Sequence, residues 1–360
     1  MAAVAKAAER RANSRRLIGA VLSIGKLPNT YRARPPLARS IAYSWTEIQR
    51  TGICGLAKGT RAYRIPHVST GSDKPRKKRL TANIITLTTD FGTRDWFVGT
   101  VKGVILRINP DARIVDITHE IPAGDIRAGA FALMASYAFF PPGTVHLVIV
   151  DPGVGVLRSP IAVQTENHIF VGPDNGVLSL AAARDRVRAV YRLENPALFL
   201  ARVSRTFHGR DVFAPVAAHL SKGATLRDVG PRQEHHVQIT LAEPKAAPGQ
   251  VQGSVIYIDR FGNAITNLAG DLSILTDPRT RVRVPHRLRL LPIRGFYQAV
   301  PQGQPLAVIG SSGLLEIAIN GGSADRTLGL KIGDRIVLQS PTETVVTRRP
   351  KSKERRIGAR

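Results

Sequence analysis

From Asn83 onward the apolar residues fall into short runs of two different periods. Ile84 to Thr89 (IITLTT) is β-branched and brief, which predicts a strand, and it stops at Asp90-Phe91-Gly92. Asp95 then opens a stretch in which Trp96, Val98, Val101, Val104, Ile105 and Ile108 recur near the helical period, closed by Asn109-Pro110. Arg113 to Ile117 predicts a second strand. Gly124 to Phe140 predicts a second helix, with Asp125 in its first turn to complement the helix dipole. Thr144 to Val150 is apolar throughout, as a strand buried on both faces would be. Strand, helix, strand, helix, strand is the alternation that builds a parallel sheet. Further strands are predicted at Ile161–Thr165 and Ile169–Val171, followed by the turn-rich Gly172 to Gly176. Another helix starts near Val212 and covers Ala214 to Leu220.

The texture changes at AEPKAAPGQ, which predicts a linker over 242–250. Beyond it the helical period is gone. Gly253–Ile258, Thr280–Val284, Arg287–Leu291, Leu306–Ile309, Leu315–Ile319 and Arg335–Leu338 are short β-like runs broken by Gly, Pro, Asn and Ser. The predicted class is therefore α/β: an N-terminal parallel-sheet α/β domain over 83–241, then a small C-terminal all-β barrel domain over 251–340. No internal repeat is visible.

Composition adjusts this picture at the ends of the chain. A 360-residue chain that is 43% hydrophobic has room for two cored domains, and no run approaches the ~20 apolar residues of a membrane span. A single cysteine, Cys54, excludes a disulfide framework and a Cys-based zinc site, and it is expected to be an inert thiol. The net charge of +26 is unevenly spread. Residues 1–80 carry 18 Lys and Arg against three Asp and Glu, and residues 341–360 carry seven against two. The 260 residues between them carry 27 against 21. Residues 1–82 are expected to be a basic, disordered extension with no part in the chemistry. A targeting peptide and a nucleic-acid-binding arm are the alternatives, and the former lacks a clean apolar core with a cleavage site. Residues 341–360 read as a basic tail. A cytoplasmic location and no membrane partner are expected.

Candidate chemistry gathers where strands end. Val145 to Val150 stops at Asp151-Pro152-Gly153, so a carboxylate stands at the strand's lip, and Arg158 follows seven residues on. Ligands of open α/β sheets bind beyond the carboxyl ends of the strands. Asp90 ends the first strand in the same way, so the two acids share an edge if their strands are parallel neighbours; either alone could simply form a turn. Thr206-Phe207-His208-Gly209-Arg210-Asp211 packs three charged or titratable side chains ahead of a helix. His208 suits proton handling near neutral pH, while the plain alternative has Asp211 capping the helix and His208 at the surface. His119 and His146 are expected to be structural. In the β region, Ile258 to Asn263 and Ser311-Ser312-Gly313 are polar loops that could be ordinary turns. The chain has no P-loop, no GxGxxG and no HExxH, the signatures of nucleoside triphosphate, dinucleotide and zinc-peptidase chemistry.

Taken together, TLTTDFG (86–92), VDITHEI (115–121), FPPGTVHLVIVDPGVG (140–155), VGPDNG (171–176), TFHGRDVFAP (206–215), IDRFGNAITN (258–267) and LEIAINGGSA (315–324) resemble the S-adenosyl-L-methionine (SAM) hydroxide adenosyltransferases, the SAM hydrolases related to the fluorinases and chlorinases. The resemblance runs from about Asn83 to Ser340. It implies an α/β domain followed by a β-barrel, and a homotrimer whose sites lie between the N-terminal domain of one subunit and the C-terminal domain of the next. It implies hydrolysis of SAM to adenosine and L-methionine, with Asp151, Arg158 and His208 in the positions of the family's water-activating set, which the halogenases do not keep. It further implies contacts from Asp90 to the ribose hydroxyls, Asp259 to the methionine ammonium, Asn263 to adenine and Ser311 to the methionine carboxylate. After Ser311 the fluorinases carry an Arg where this chain has Ser312. Neither a cofactor nor a metal is implied. The competing functions are a SAM-dependent halogenase and a non-catalytic SAM or adenosine binder, with nucleic-acid contact through the basic ends as a lesser alternative.

Overall fold

The computed structural model describes residues 83–156, 158–285 and 290–341. The expectations for the basic extension, Cys54, most of the Arg287–Leu291 strand and the basic tail lie outside those residues.

The first half is a seven-stranded mixed sheet with helices on both faces. In chain order it contains β1 (Ile84–Thr89), α1 (Phe97–Ile108), β2 (Arg113–Thr118), α2 (Ile126–Ser136), β3 (Val145–Ile149), β4 (Pro160–Gln164), β5 (Ile169–Pro173), α3 (Ser179–Arg184), β6 (Ala189–Arg192), α4 (Ala214–Lys222) and β7 (Arg232–Gln233). The strand order is β2-β1-β3-β5-β4-β6-β7. β2, β1, β3 and β5 run parallel, as the alternation predicted. β4, β6 and β7 then continue antiparallel, because β4 and β5 are consecutive with no crossover helix between them.

Period-2 alternation sends the strand side chains to two cores. Ile85, Leu87, Leu147 and Ile149 face Val101 and Ile105 of α1 and Val216 and Leu220 of α4. Val148, Val150 and Phe170 face Phe131, Leu133 and Met134 of α2 and Ala181 of α3. α2 is shorter than expected at both ends. Asp125 caps it, accepting from the Ala128 N–H at 2.9 Å, and a 3₁₀ turn over Tyr137–Phe139 finishes it ahead of Pro141-Pro142. α1 begins at Phe97, leaving Trp96 exposed rather than on the buried face.

The second half is a closed barrel. β9 (Gln250–Ile258), β10 (Ala264–Ala269), β11 (Arg281–Arg283), β12 (Leu291–Arg294), β13 (Pro305–Ile309), β14 (Leu314–Ile319) and β15 (Arg335–Gln339) form the ring, with α5 (Ala324–Leu328) before the last strand. The β9–β10 pairing closes it, so none of the seven strands is left with an open edge. β8 (Lys245–Ala247) pairs with β9 outside the ring, so the stretch expected as a linker is partly a hairpin. The two halves touch through apolar contact: Phe131 of α2 stacks on Tyr257 of β9 with ring centroids 4.8 Å apart. Among the described residues no helix is long and apolar enough to cross a membrane.

Candidate active site

β1 and β3 are parallel neighbours in a register that pairs Thr89 with Ile149. Asp90 and Asp151 therefore leave the sheet at the same carboxyl edge, as the strand endings suggested. Asp151 sits on a tight turn in which the Val154 N–H donates to its carbonyl at 3.2 Å and the Val156 N–H donates to the Gly153 carbonyl at 3.1 Å. The turn brings Arg158 back onto it. Arg158 Nε lies 2.9 and 3.0 Å from the two Asp151 carboxylate oxygens, and its terminal nitrogen pairs with Oδ2 as well. Both side chains are buried, 9% and 6% exposed, so this fork is not screened as a surface pair would be. Beneath it the Arg158 guanidinium lies 5.1 Å from the ring centre of Phe213.

The same guanidinium reaches His208, with 3.1 Å between its terminal nitrogen and Nδ1. An arginine can only donate, so the Nδ1 facing it presents a lone pair. Burial, and after it the Arg158 charge, hold the His208 pKa below the ordinary value, against the pull of Asp151 and Asp211. The ring is thus neutral near pH 7 with its proton on Nε2. His208 is therefore a hydrogen-bond donor at Nε2, and the open acceptor positions in the cluster are the remaining lone pairs of Asp151.

His208 directly precedes a π-helical turn, Gly209–Phe213, that runs into α4. The alternative in which Asp211 caps the helix is not what the structure shows. Asp211 is fully buried and its carboxylate is held by the Arg210 fork at 2.6 and 3.0 Å and by the Ser204 N–H at 2.8 Å. Phe207 packs edge-on against Phe91 and Phe97, an aromatic group beside the acidic edge. The two loops interlock at one point: Gly155 has φ +79° and packs so closely that a Cβ there would lie 2.4 Å from the Arg205 carbonyl oxygen.

Asp90 stands on the neighbouring strand, accepting from the Gly124 N–H at 2.8 Å. Burial raises its pKa, the Gly124 bond opposes this, and the Asp151 charge adds to the rise. His146 lies within β3, and His119 directly follows β2. His146 Nδ1 meets Thr86 Oγ1 at 2.7 Å, while His119 Nδ1 meets Thr89 Oγ1 at 2.9 Å and its Nε2 lies 3.2 Å from Asp116.

Asp259, Asn263 and Ser311 do not join this cluster within one chain. They line a separate cleft of about 740 Å³ between the barrel and α2, with Phe131 and Ala135 of α2 on one side and Phe261, Tyr297 and Glu316 on the other. Asp259 accepts from the Phe261 and Asn263 N–H groups at 2.9 and 2.8 Å and from Asn263 Nδ2 at 3.0 Å, which fixes the β9–β10 turn. Glu316 was not singled out in the sequence, though a carboxylate inside the apolar run Leu314 to Ile319 is an anomaly that could have marked it. It is 5% exposed and accepts from the Tyr297 hydroxyl at 3.1 Å. Burial raises its pKa, and burial together with the Glu316 charge pushes the Tyr297 hydroxyl up to about 12.

Residues 85–230 match the model of the SAM hydroxide adenosyltransferase N-terminal domain, and residues 253–337 match that of the C-terminal domain. An (R)-S-adenosyl-L-methionine hydrolase from Salinispora arenicola is 43% identical over 256 residues, covering 70% of this chain and 96% of that protein. The chain belongs to the SAM hydroxide adenosyltransferase family. A crystal structure of an uncharacterised conserved protein from Thermotoga maritima superposes on this adenosyltransferase fold with a TM-score of 0.68 at 40% identity, covering 71% of this chain and all of that one. A fluorinase from an Actinoplanes species is more distant, 28% identical over 289 residues, covering 69% of this chain and 95% of the fluorinase. Within the adenosyltransferase domains lie all seven residues expected at the site; the structure brings Asp151, Arg158 and His208 into contact, sets Asp90 on the adjoining strand, and groups the other three on the barrel.

Proposed function

We propose that this chain hydrolyses SAM to adenosine and L-methionine, with water attacking ribose C5′. The observation that carries the proposal is the buried contact of Asp151, Arg158 and His208 at the carboxyl edge of the sheet. The C5′–S bond breaks with its electron pair going to sulfur, the C5′–O bond forms, and the proton of the attacking water passes to the Asp151 carboxylate and from there to solvent. Sulfur departs as a neutral thioether, so no general acid and no cofactor are needed. The difficult partner is water, a weak nucleophile. Asp151 is assigned as the proton acceptor, a role worth about 10²–10⁴-fold. His208 Nε2–H orients the water oxygen, and Arg158, charged at every usable pH, stabilises hydroxide character beside it. Holding water in line with the C–S bond adds a proximity term.

The substrate-binding roles proposed for the remaining residues are those of the family: Asp90 for the ribose hydroxyls, Asp259 for the ammonium, Asn263 for adenine and Ser311 for the carboxylate. Because these residues lie in two places on one chain, the complete site is assigned to the junction of two copies in a homotrimer, the sheet edge of one meeting the barrel cleft of the next. Exposed Trp96 and Val156 at the first place, and Phe261 and Phe296 at the second, supply the apolar surface such a junction would bury.

The test is to incubate the protein with SAM in halide-free buffer and follow adenosine and methionine by chromatography. The Salinispora relative is named for the (R) sulfonium epimer, so both epimers are supplied. Equal release of both products, abolished in Asp151→Ala, is the expected result. Product that forms only with added fluoride or chloride would instead support the halogenase alternative, which the 28% identity to a fluorinase keeps in view. Intact SAM under all conditions would leave a binding protein.

A further inference from the structure

The Arg210–Asp211 pair has no place in the water-activating set, yet it sits one turn from His208, and its carboxylate is fully buried while the Arg210 side chain is 37% exposed, so a desolvated charge is kept there at a cost. Its bonds run to the loop that carries His208. The Asp211 carboxylate accepts from the Ser204 N–H, and the Ser204 hydroxyl accepts from the Phe207 N–H at 3.0 Å. The Asp211 carbonyl accepts from the Leu200 N–H at 3.0 Å, tying down the other end of the same loop. Arg210 forks onto Asp211 while its guanidinium lies 5.1 Å from the ring centre of Phe207, the residue before His208. Residues 200–207 are thereby fastened to one residue at two points, Leu200 through the Asp211 main-chain carbonyl and Ser204 through its carboxylate. At Arg205 the fastened loop meets Gly155, and through it the turn that presents Arg158.

We propose that Asp211, clamped by Arg210, is a positioning residue for the hydrolysis: it sets the 204–208 loop so that the His208 ring meets Arg158 in the orientation that leaves Nε2–H pointing to the reacting water. The inference rests on the proposed SAM hydrolysis. Asp211 touches neither substrate nor water and acts only through His208. Its charge also has a direct effect, since it is one of the groups holding the His208 pKa up, opposite in sign to Arg158. The other ionisable groups facing the ring are Asp151 and Arg158.

The test is Asp211→Asn, which keeps an acceptor for the Ser204 N–H and removes the charge. The expected result is a fall in kcat of about 10–100-fold with KM for SAM within about threefold, because an orientation used in the transition state is lost while binding is not. The acid limb of the kcat profile should move to lower pH, because a favourable charge for the protonated ring has gone. A role in stability alone would lower Tm and leave kcat of the folded protein unchanged. If Asp211→Asn does not fold, Arg210→Lys decides: it keeps the countercharge but not the fork, and should lose kcat several-fold with the fold intact. Wild-type kcat in either folded variant overturns the proposal. If the wild-type chain leaves SAM untouched, the hydrolase assignment is what fails, and the side-chain ¹⁵N shifts of His208 still judge the clamp. They should report the Nε2–H tautomer in the wild type and a mixture in Asp211→Asn; identical shifts would refute positioning.

Discussion

Gly155→Ala is the sharpest probe of how the two site loops are held. The new methyl carbon would lie 2.4 Å from the Arg205 carbonyl oxygen. A carbon and a carbonyl oxygen rest at about 3.3 Å or more, so the 152–158 and 204–208 loops must part by roughly 0.9 Å. Neither side can yield a flexible tip, because the obstacle is backbone. The left-handed φ of +79° adds about 1–2 kcal/mol for alanine. That strain should lower Tm by roughly 2–8 °C, since 1 kcal/mol shifts a domain of this size by about 2–4 °C. The larger effect is on chemistry: a displacement of about 1 Å between Arg158 and His208 is expected to reduce kcat about 10²-fold. The assay is adenosine release at 25 °C, normalised to the folded fraction by circular dichroism. Gly155→Asn separates the two causes. Asparagine tolerates the left-handed region but still carries a Cβ, so it should recover part of the stability and none of the activity. A folded Gly155→Ala protein with kcat within about threefold of wild type would show that the loop contact does not set the geometry.

Other perturbations give independent checks. His208→Ala should lower kcat by at least about 10²-fold while the calorimetric Kd for SAM stays within about threefold; unchanged turnover would remove His208 from the mechanism. If the site is shared between subunits, Asp151→Ala and Asp259→Ala chains are each inactive, yet co-refolding them in equal amounts should restore about a quarter of wild-type activity, because a head-to-tail trimer then pairs intact halves at one junction in four. No recovery in verified mixed trimers would place the site within one chain. His146 is fully buried and its pKa is pushed down to about 3, by burial first and then by His168, against Asp185. It stays neutral in the fold while the unfolded chain protonates below about 6.5, so its stabilisation is complete above that pH and is lost toward pH 3 at about 1.4 kcal/mol per unit. Urea unfolding from pH 7 to 4 should therefore show a slope about one proton shallower in His146→Phe; parallel slopes would mean that His146 is protonated in the fold.

Much of this architecture was legible because each element carried its own period. β1 is a short β-branched run and β3 an almost wholly apolar one, and α1 and α2 show the helical stripe, so the parallel half of the sheet and the shared edge of Asp90 and Asp151 followed from pattern alone. β10 did not. In Ala264–Ala269 the buried Thr266 and Asn267 bond to the Leu315 and Ala242 carbonyls, so polar residues occupy core positions and the run looks like a loop. The antiparallel turn-back of β4 depends on pairing between strands, which no single run records. At the site, strand endings exposed two acids, whereas the His208–Arg158 contact spans 50 positions and depends on an irregular turn that no residue spacing announces. Asp211 showed the limit most plainly: its place before a helix suggested a cap, and only three dimensions reveal a carboxylate turned inward and clamped by Arg210.

The π-helical turn of Gly209–Phe213 has a consequence for how this site tolerates change in length. Such a turn is an α-helix carrying one surplus residue. In a regular α-helix one extra residue would turn everything before it by about 100°, and the widened turn absorbs that rotation, keeping His208 on the side that faces Arg158. A one-residue deletion between positions 209 and 213 therefore has a regular helix to fall back on. A one-residue insertion has no second bulge to absorb it and would turn His208 away from Arg158. Gain of a residue here is thus a stronger sign of altered chemistry than loss of one.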